Sequence, residues 1–314
     1  TETPTIVPTT ETPTTIVPTT QTPTTIVPTT ETPTTIVPTT CPPVEIVVVP
    51  SELAPNPETI ETVSITSGSC SSYEGNEFIL RGLPALKSIV IGDKCFGKVR
   101  VFELDRLSEL ESVVIGGNSF RIDIYIRMDG SYRIVNCPKL KSIQIGDYSF
   151  SDYHSFELNN LPSLQSIYVG ARCFSYAPSF SLTDLPQLQS VKLVDYAFAC
   201  IHSIVFENLP KLQSIQLGAW ALQGDISEDR KNTLTMRNLP SLTQFKGDYW
   251  NFGYIGSVIL ENIPQLSSNG IYFGSNCFYR TYSLQSSSTH SPISSSFDAT
   301  ALESYIRDKS NYVN

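Results

Sequence analysis

The chain lacks most of the features that would name a function directly. No apolar run approaches the roughly 18 residues of a membrane-spanning helix, so no transmembrane segment is predicted. Lys and Arg number 21 against 30 Asp and Glu, for a net charge of −9. No basic stripe interrupts that balance, which argues against a nucleic-acid partner. There is no Asn-x-Ser/Thr sequon, so N-glycosylation is not expected. Patterns for a nucleophile elbow, a zinc protease helix or a phosphate loop are absent, so no enzyme is predicted. No pair of carboxylates stands out for glycoside hydrolysis. The sequence begins at Thr1 without a signal-peptide pattern and reads as a mature form or a fragment.

Histidine is also scarce, at three residues. His154 and His202 hold one repeat position two coils apart, roughly 10 Å at about 4.8 Å per coil. That is too far for a single metal ion, and no cofactor is expected. Asp93, Asp147 and Asp195 share another column, but Gly117 and Ala171 interrupt it. A calcium site needs more carboxylates within reach.

What the chain does have is repetition, on two scales. Residues 11–20, 21–30 and 31–40 read ETPTTIVPTT, QTPTTIVPTT and ETPTTIVPTT, and residues 1–10 are a slipped copy. Proline fixes φ and removes donors, so residues 1–40 are expected to be an extended, disordered stalk. Thr beside Pro suits O-glycosylation, and an unmodified linker fits the same composition. The stalk holds three acids and no base, leaving 27 acids against 21 bases in the remainder.

The second repeat is longer. L-P-x-L-x-S-I-x-I-G-x-x-x-F, followed by F-x-L-x-N, begins at Leu83, Leu107, Cys137, Leu161, Leu185, Leu209, Leu239 and Ile263, at intervals of 24 or 30 residues. A fixed period of this size marks a solenoid. Counted from the second leucine of each unit (Leu86, Leu110, Leu164), apolar residues recur at positions 1, 4, 6 and 11. Alternation at 4 and 6 predicts a short strand with one face inward. Gly follows at position 7, read as a turn residue. A second alternating run, such as Phe156-Glu157-Leu158, predicts a second strand, so stacked coils would form two sheets. Position 10 is small, as in Cys95, Ser119, Cys173 and Ala197, and is expected inside. An Asn column precedes the leading leucine (Asn136, Asn160, Asn208, Asn238, Asn262) and is expected to satisfy backbone groups of the turn.

Before the array, Val44–Val49 reads as a first strand, and residues 41–82 as an N-terminal cap that includes a degenerate rung over 57–82. The array proper spans 83–285. After it, residues 286–314 read as a Ser-rich segment and a short helix, with a capping box from Thr300 to Glu303. The fold class is therefore mainly β, a solenoid of about eight 24-residue coils.

The element I-G-x-x-x-F (Ile91-Gly92 to Phe96; Ile145-Gly146 to Phe150) within L-x-x-I-x-I-x-x-x-x-F resembles the leucine-rich repeat, in the subclass of BspA-like surface proteins of bacteria and protists. The resemblance covers residues 57–285. It departs in using 24 residues per unit, and only Ala197-Phe198-Ala199-Cys200 comes near the A-F-x-x-C of those repeats. It implies a secreted or cell-surface protein engaged in adhesion.

Two sets of residues are candidates for binding. One is the outward face of the first sheet, with Tyr168, Lys192, Gln216, Lys141 and Gln165. The other is the pair of six-residue insertions, with Arg121, Asp123, Tyr125, Arg127 and Asp129 in the first and Asp225, Glu228, Asp229 and Arg230 in the second. Inserted loops of repeat arrays gather on one face, often the binding face. The expected partner is a protein or glycan on another cell or matrix, and self-association as a wall or matrix component is the alternative. Among seven cysteines, Cys41 and Cys70 both lie in the cap and are the candidate disulfide, in keeping with a secreted chain. Cys95, Cys173 and Cys277 lie at least three coils apart, beyond the about 4.4–6.8 Å Cα separation of a disulfide, and read as small buried residues.

Overall fold

A computed structural model describes residues 34–36, 57–122, 129–287 and 300–310. The chain divides into two units, Thr1–Thr32 and Pro33–Asn314, and the described residues all belong to the second. The Val44–Val49 strand, Cys41, and Asp123, Tyr125 and Arg127 of the first insertion lie outside them.

The described residues form a parallel β-solenoid of about nine coils: eight regular coils and the degenerate rung before them. Each coil gives one strand to each of two sheets. In chain order the strands are β1 (Thr34–Ile36), β2 (Ile60–Ile65), β3 (Glu77–Arg81), β4 (Ser88–Ile91), β5 (Val101–Asp105), β6 (Ser112–Ile115), β7 (Gly130–Val135), β8 (Ser142–Ile145) and β9 (Tyr153–Asn159). They continue as β10 (Ser166–Val169), β11 (Ser179–Thr183), β12 (Ser190–Leu193), β13 (Ser203–Glu207), β14 (Ser214–Leu217), β15 (Thr233–Arg237), β16 (Gln244–Gly247), β17 (Ser257–Glu261), β18 (Ile271–Phe273) and β19 (Ser283–Ser287). β1 and the even-numbered strands form the first sheet. The other odd-numbered strands form the second, which is broken between β9 and β11.

Pairing keeps the repeat register. Ser166 faces Ser142 and Ser190, and Ser112 still faces Ser142 across the first insertion. The first sheet keeps this register across the second insertion as well, with Ser214 facing Gln244, while the second sheet shifts register between Gly130 and Ser131.

The inward residues build one core. Ile89, Ile91, Leu104, Val113 and Leu164 are buried, as is the Phe at position 11 in unit after unit. Those rings stack along the axis: Phe120 to Phe150 at 4.8 Å and 5°, and Phe150 to Phe174 at 5.4 Å and 3°. A second column from the opposite sheet, Phe102, Tyr132 and Phe156, stacks likewise and meets the first edge-on, with Phe102 to Phe150 at 74°. Such pairs contribute about 0.5–1.5 kcal/mol each beyond area burial.

Position 10 is interior as expected, and its role is polar. Ser119 Oγ accepts from Cys95 N–H at 3.1 Å and donates to the Gly92 carbonyl at 2.8 Å. Ser149 repeats this with Ser119 N–H and the Gly116 carbonyl. The thiols of Cys173 and Cys277 donate to the Gly146 and Asp248 carbonyls in the same place. Burial pushes the Cys277 thiol up to about 12.

Two expectations hold in position and change in reason. The Asn column is set by backbone shape: Asn136, Asn160, Asn208, Asn238 and Asn262 have φ of 53–55°, 52° at Asn238. This left-handed conformation costs most L-residues about 1–2 kcal/mol, and Asn tolerates it through its short polar side chain. The side chains then bond one another rather than the backbone, with Asn238 Nδ2 donating to Asn208 Oδ1 at 2.8 Å and Asn160 Nδ2 to Asn136 Oδ1 at 2.9 Å. The ladder breaks between Asn160 and Asp184, whose carboxylate cannot donate, at the break in the second sheet. The glycines at position 7 are not at positive φ. A Cβ on Gly116 would lie 2.5 Å from Asp93 Oδ1 and 2.6 Å from the Gly92 carbonyl carbon, so close approach of coils demands Gly.

The Asp column has a structural use. Asp93, Asp147 and Asp195 each accept from the backbone N–H one coil on, of Gly117, Ala171 and Ala219. Acid and small residue thus alternate because one caps the next.

At the C-terminal end, helix α1 (Thr300–Lys309) buries Leu302 and Ile306. Glu303 lies in the first turn of this helix. Its carboxylate accepts from Ser286 Oγ and from Arg307, tying the helix to β19. At the other end, β1 pairs with β2 although it lies within the stretch read as a disordered stalk. Its β-branched Thr and Ile suit a strand, and β2 offers an edge to pair with.

The Tyr132 hydroxyl is buried without a hydrogen-bond partner among the described residues, whereas that of Tyr153 donates to the Val99 carbonyl at 2.7 Å. Tyr132→Phe should leave stability unchanged or raise it by about 1 kcal/mol, and Tyr153→Phe should lower it by about 1 kcal/mol. Urea denaturation of the two variants checks this contrast.

Candidate functional site

The expected first-sheet face exists. Tyr168, Lys192 and Gln216 are register partners on β10, β12 and β14, and Lys192 Nζ lies 5.6 Å from the centre of the Tyr168 ring. Lys141 and Gln165 stand just before β8 and β10, where Gln165 N–H donates to the Lys141 carbonyl at 2.8 Å. Lys141 pairs with Glu111 at 2.8 Å, and this hydrogen bond holds the Glu111 carboxyl below its ordinary pKa. The five residues share one outward surface, on which Lys192 lies against Tyr168 and Lys141 against Glu111.

The insertions behave differently from free loops. In the first, Asp129 pairs with Arg100, and the exposed Arg121 sits 5.7 Å from the Tyr148 ring. In the second, Asp225 caps a short turn over Ile226–Glu228, accepting from Ser227 N–H at 2.8 Å and meeting His202 Nε2 at 3.2 Å. Burial opposes its ionisation, but the bonds from Ser227 and His202 outweigh it and hold the carboxyl low. Glu228 pairs with Lys231 at 2.7 Å. Asp229 reaches across the following coils to accept from Arg280 at 2.7 Å and from Tyr282 Oη at 3.0 Å. Arg230 lies 4.6 Å from the Tyr282 ring. The segment is strapped down over the solenoid.

Between the insertions runs a feature that sequence reasoning missed. Position 9 carries Tyr148, Arg172, Tyr196, Trp220 and Trp250 in successive coils, all at positive φ. This conformation turns the side chain out at the corner beside β8 to β16, where the next coil repeats it. The Arg172 guanidinium lies 6.0 Å from the Tyr148 ring and 4.5 Å from Tyr196. Tyr196 stacks on Trp220 at 5.6 Å and 5°, and Trp220 on Trp250 at 5.3 Å and 9°. Trp250 meets Tyr254, which lies 5.3 Å from Arg280. Both tryptophans of the chain are here.

The insertions bracket this ridge. Arg121 of the first touches Tyr148 at one end, and Asp229 of the second holds Arg280 at the other. The ridge spans four coil steps, roughly 19 Å at about 4.8 Å each. It presents half-buried aromatic rings, two of them indoles, and the exposed Arg121 and Arg172. Trp, Tyr and Arg are the residues that dominate binding energy at interfaces. The signal was readable as a column of aromatics and Arg one place before the small position 10.

His154 stands apart from the His202–Asp225 pair, and among the described residues no group of three His, Cys, Asp or Glu is gathered. A cleft of about 610 Å³ lies at the break in the second sheet, lined by Glu157, Asn159, Asn160, Ser181, Thr183 and Asp184. No helix among the described residues is long and apolar enough to cross a membrane. No protein-family model matches the chain, and no curated protein or solved structure matches it significantly.

Asp229 fixes the second insertion through its bond from Arg280, which holds the Asp229 carboxyl below its ordinary pKa. A depressed carboxyl contributes stability above its unfolded pKa and loses it as pH falls through the folded value. Asp229→Asn should therefore release the insertion at neutral pH, seen as several-fold faster trypsin cleavage after Arg230 and Lys231, with the global denaturation midpoint little changed. The wild-type strap should loosen only in acid, below the ordinary carboxylate range.

Proposed function

We propose that this chain is a cell-surface or secreted binding protein that captures a protein or glycan of another cell or matrix along the ridge from Arg121 to Arg280. The supporting observation is the ridge itself: a continuous row of Tyr, Arg and Trp, half exposed and framed by the two insertions of the array. An aromatic surface with guanidinium donors suits a partner that offers both flat apolar and polar groups. The Thr/Pro decads fit an O-glycosylated stalk that holds the solenoid away from its anchor, and the resemblance to BspA-like leucine-rich repeats points to the same extracellular setting. The first-sheet face around Tyr168 and Lys192 is the secondary candidate, since both of its lysines are already engaged, Lys192 by Tyr168 and Lys141 by Glu111.

Stacking also stabilises the corners, so loss of binding must be separated from loss of fold. Arg121→Ala and Arg172→Ala remove exposed groups and should cost less than about 1 kcal/mol of stability. Against a panel of host-cell surfaces, glycans and matrix proteins, the double variant should bind at least tenfold more weakly than wild type with unchanged circular dichroism. Trp220→Ala should lose binding further. Equal binding by the double variant and by Trp220→Ala would remove the ridge as the site.

A further inference from the structure

The two ends of the solenoid are closed in unequal ways. At the C-terminal end α1 inserts Leu302 and Ile306, both essentially buried. At the N-terminal end, among the described residues, the first sheet ends in β1, three residues paired in parallel with β2, with a register shift between Thr34 and Thr35. Twenty-three residues, 37–59, connect the two strands. A strand edge left bare is a template for pairing with another chain.

The sequence supplies more covers than the edge can use. Thr-Thr-Ile-Val occurs at 34–37 and again at 14–17 and 24–27, with Thr-Ile-Val at 5–7. Every chain therefore carries one β2 edge and several copies of the sequence that pairs with it. Pairing with a donor from another molecule makes the same backbone bonds, so concentration decides between the two, as in domain swapping. The tether sets an effective concentration on the order of millimolar, which a crowded layer of copies can rival.

We propose that β1 is an exchangeable strand, and that the Thr-Thr-Ile-Val segment of one molecule closes the β2 edge of a second copy of this chain. The decads then link molecules head to tail as well as carrying the solenoid. The ridge begins in the coil of β8, so assembly through β2 and capture of a ligand are separable.

The test uses full-length chain in a Cys41→Ser background. Thr35 and Thr62 are register partners. One preparation carries Thr35→Cys and another Thr62→Cys, and the two are mixed and oxidised. The expected result is a disulfide-linked heterodimer that rises with protein concentration, exceeds a mixture of Thr62→Cys with unsubstituted chain, and falls when excess peptide of residues 31–40 is added. A chain carrying both substitutions should close on itself in dilute solution. Internal closure of that chain without heterodimer at any concentration would make β1 a fixed cover, and absence of internal closure would reject the register; either result overturns the proposal. Sedimentation provides a second measurement. Wild type should self-associate, and Ile16→Pro/Ile26→Pro/Ile36→Pro should not, because proline removes ladder donors. Equal behaviour of the two chains would equally overturn it.

Discussion

The structure depends on a backbone constraint at its corners. Each regular coil places residues at positions 9 and 11, and the one before its leading leucine, in the left-handed region, and most of these are Phe, Tyr, Trp, Arg or Asn rather than Gly. Such conformations cost about 1–2 kcal/mol each for ordinary residues, and they persist where surroundings over-determine them. Here the compensation is repetition. Most strained residues meet their counterparts one coil away: Phe stacks on Phe inside, Asn bonds to Asn at one edge, and Tyr, Arg and Trp stack at the other. The corner creates the columns, and the columns hold the corner.

This coupling explains which parts of the molecule were legible in sequence. Positions 4, 6 and 11 face the core and must be apolar, so Ile89, Ile91 and Phe96 announce the coil and its two strands. The Asn column was visible too, but its cause was not. A sequence shows that Asn recurs; it does not show that φ is near 55° or that Asn208 bonds Asn238. Gly116 misled in the same manner, since Gly serves turns and close contacts alike, and only the neighbouring Asp93 distinguishes them. The break in the second sheet has one trace in sequence, Asp184 in place of Asn.

The candidate site was legible in part. The inserted lengths located both ends of the ridge, and Arg121 and Asp229 were among the residues singled out. What they grip was not visible: Asp229 and Arg280 are 51 positions apart and meet only because the second insertion folds over the coils that follow it. The ridge residues differ in type from coil to coil, so they lack the uniformity that reveals a structural column. That variability, on a position where the fold demands no particular side chain, is what separates them from the Phe and Asn ladders. It makes the corner a place where side chains can be chosen for a partner.

Because Trp220 and Trp250 are the only tryptophans in the chain, indole fluorescence reports on the ridge alone. The most direct test of the account is acrylamide quenching of that fluorescence during titration with a bound partner that itself lacks tryptophan, such as a glycan. A partner seated on the ridge should shield the indoles, with quenching falling along the same saturation curve as binding. Saturable binding that leaves both indoles as accessible as in the free protein would place the partner elsewhere and contradict the account.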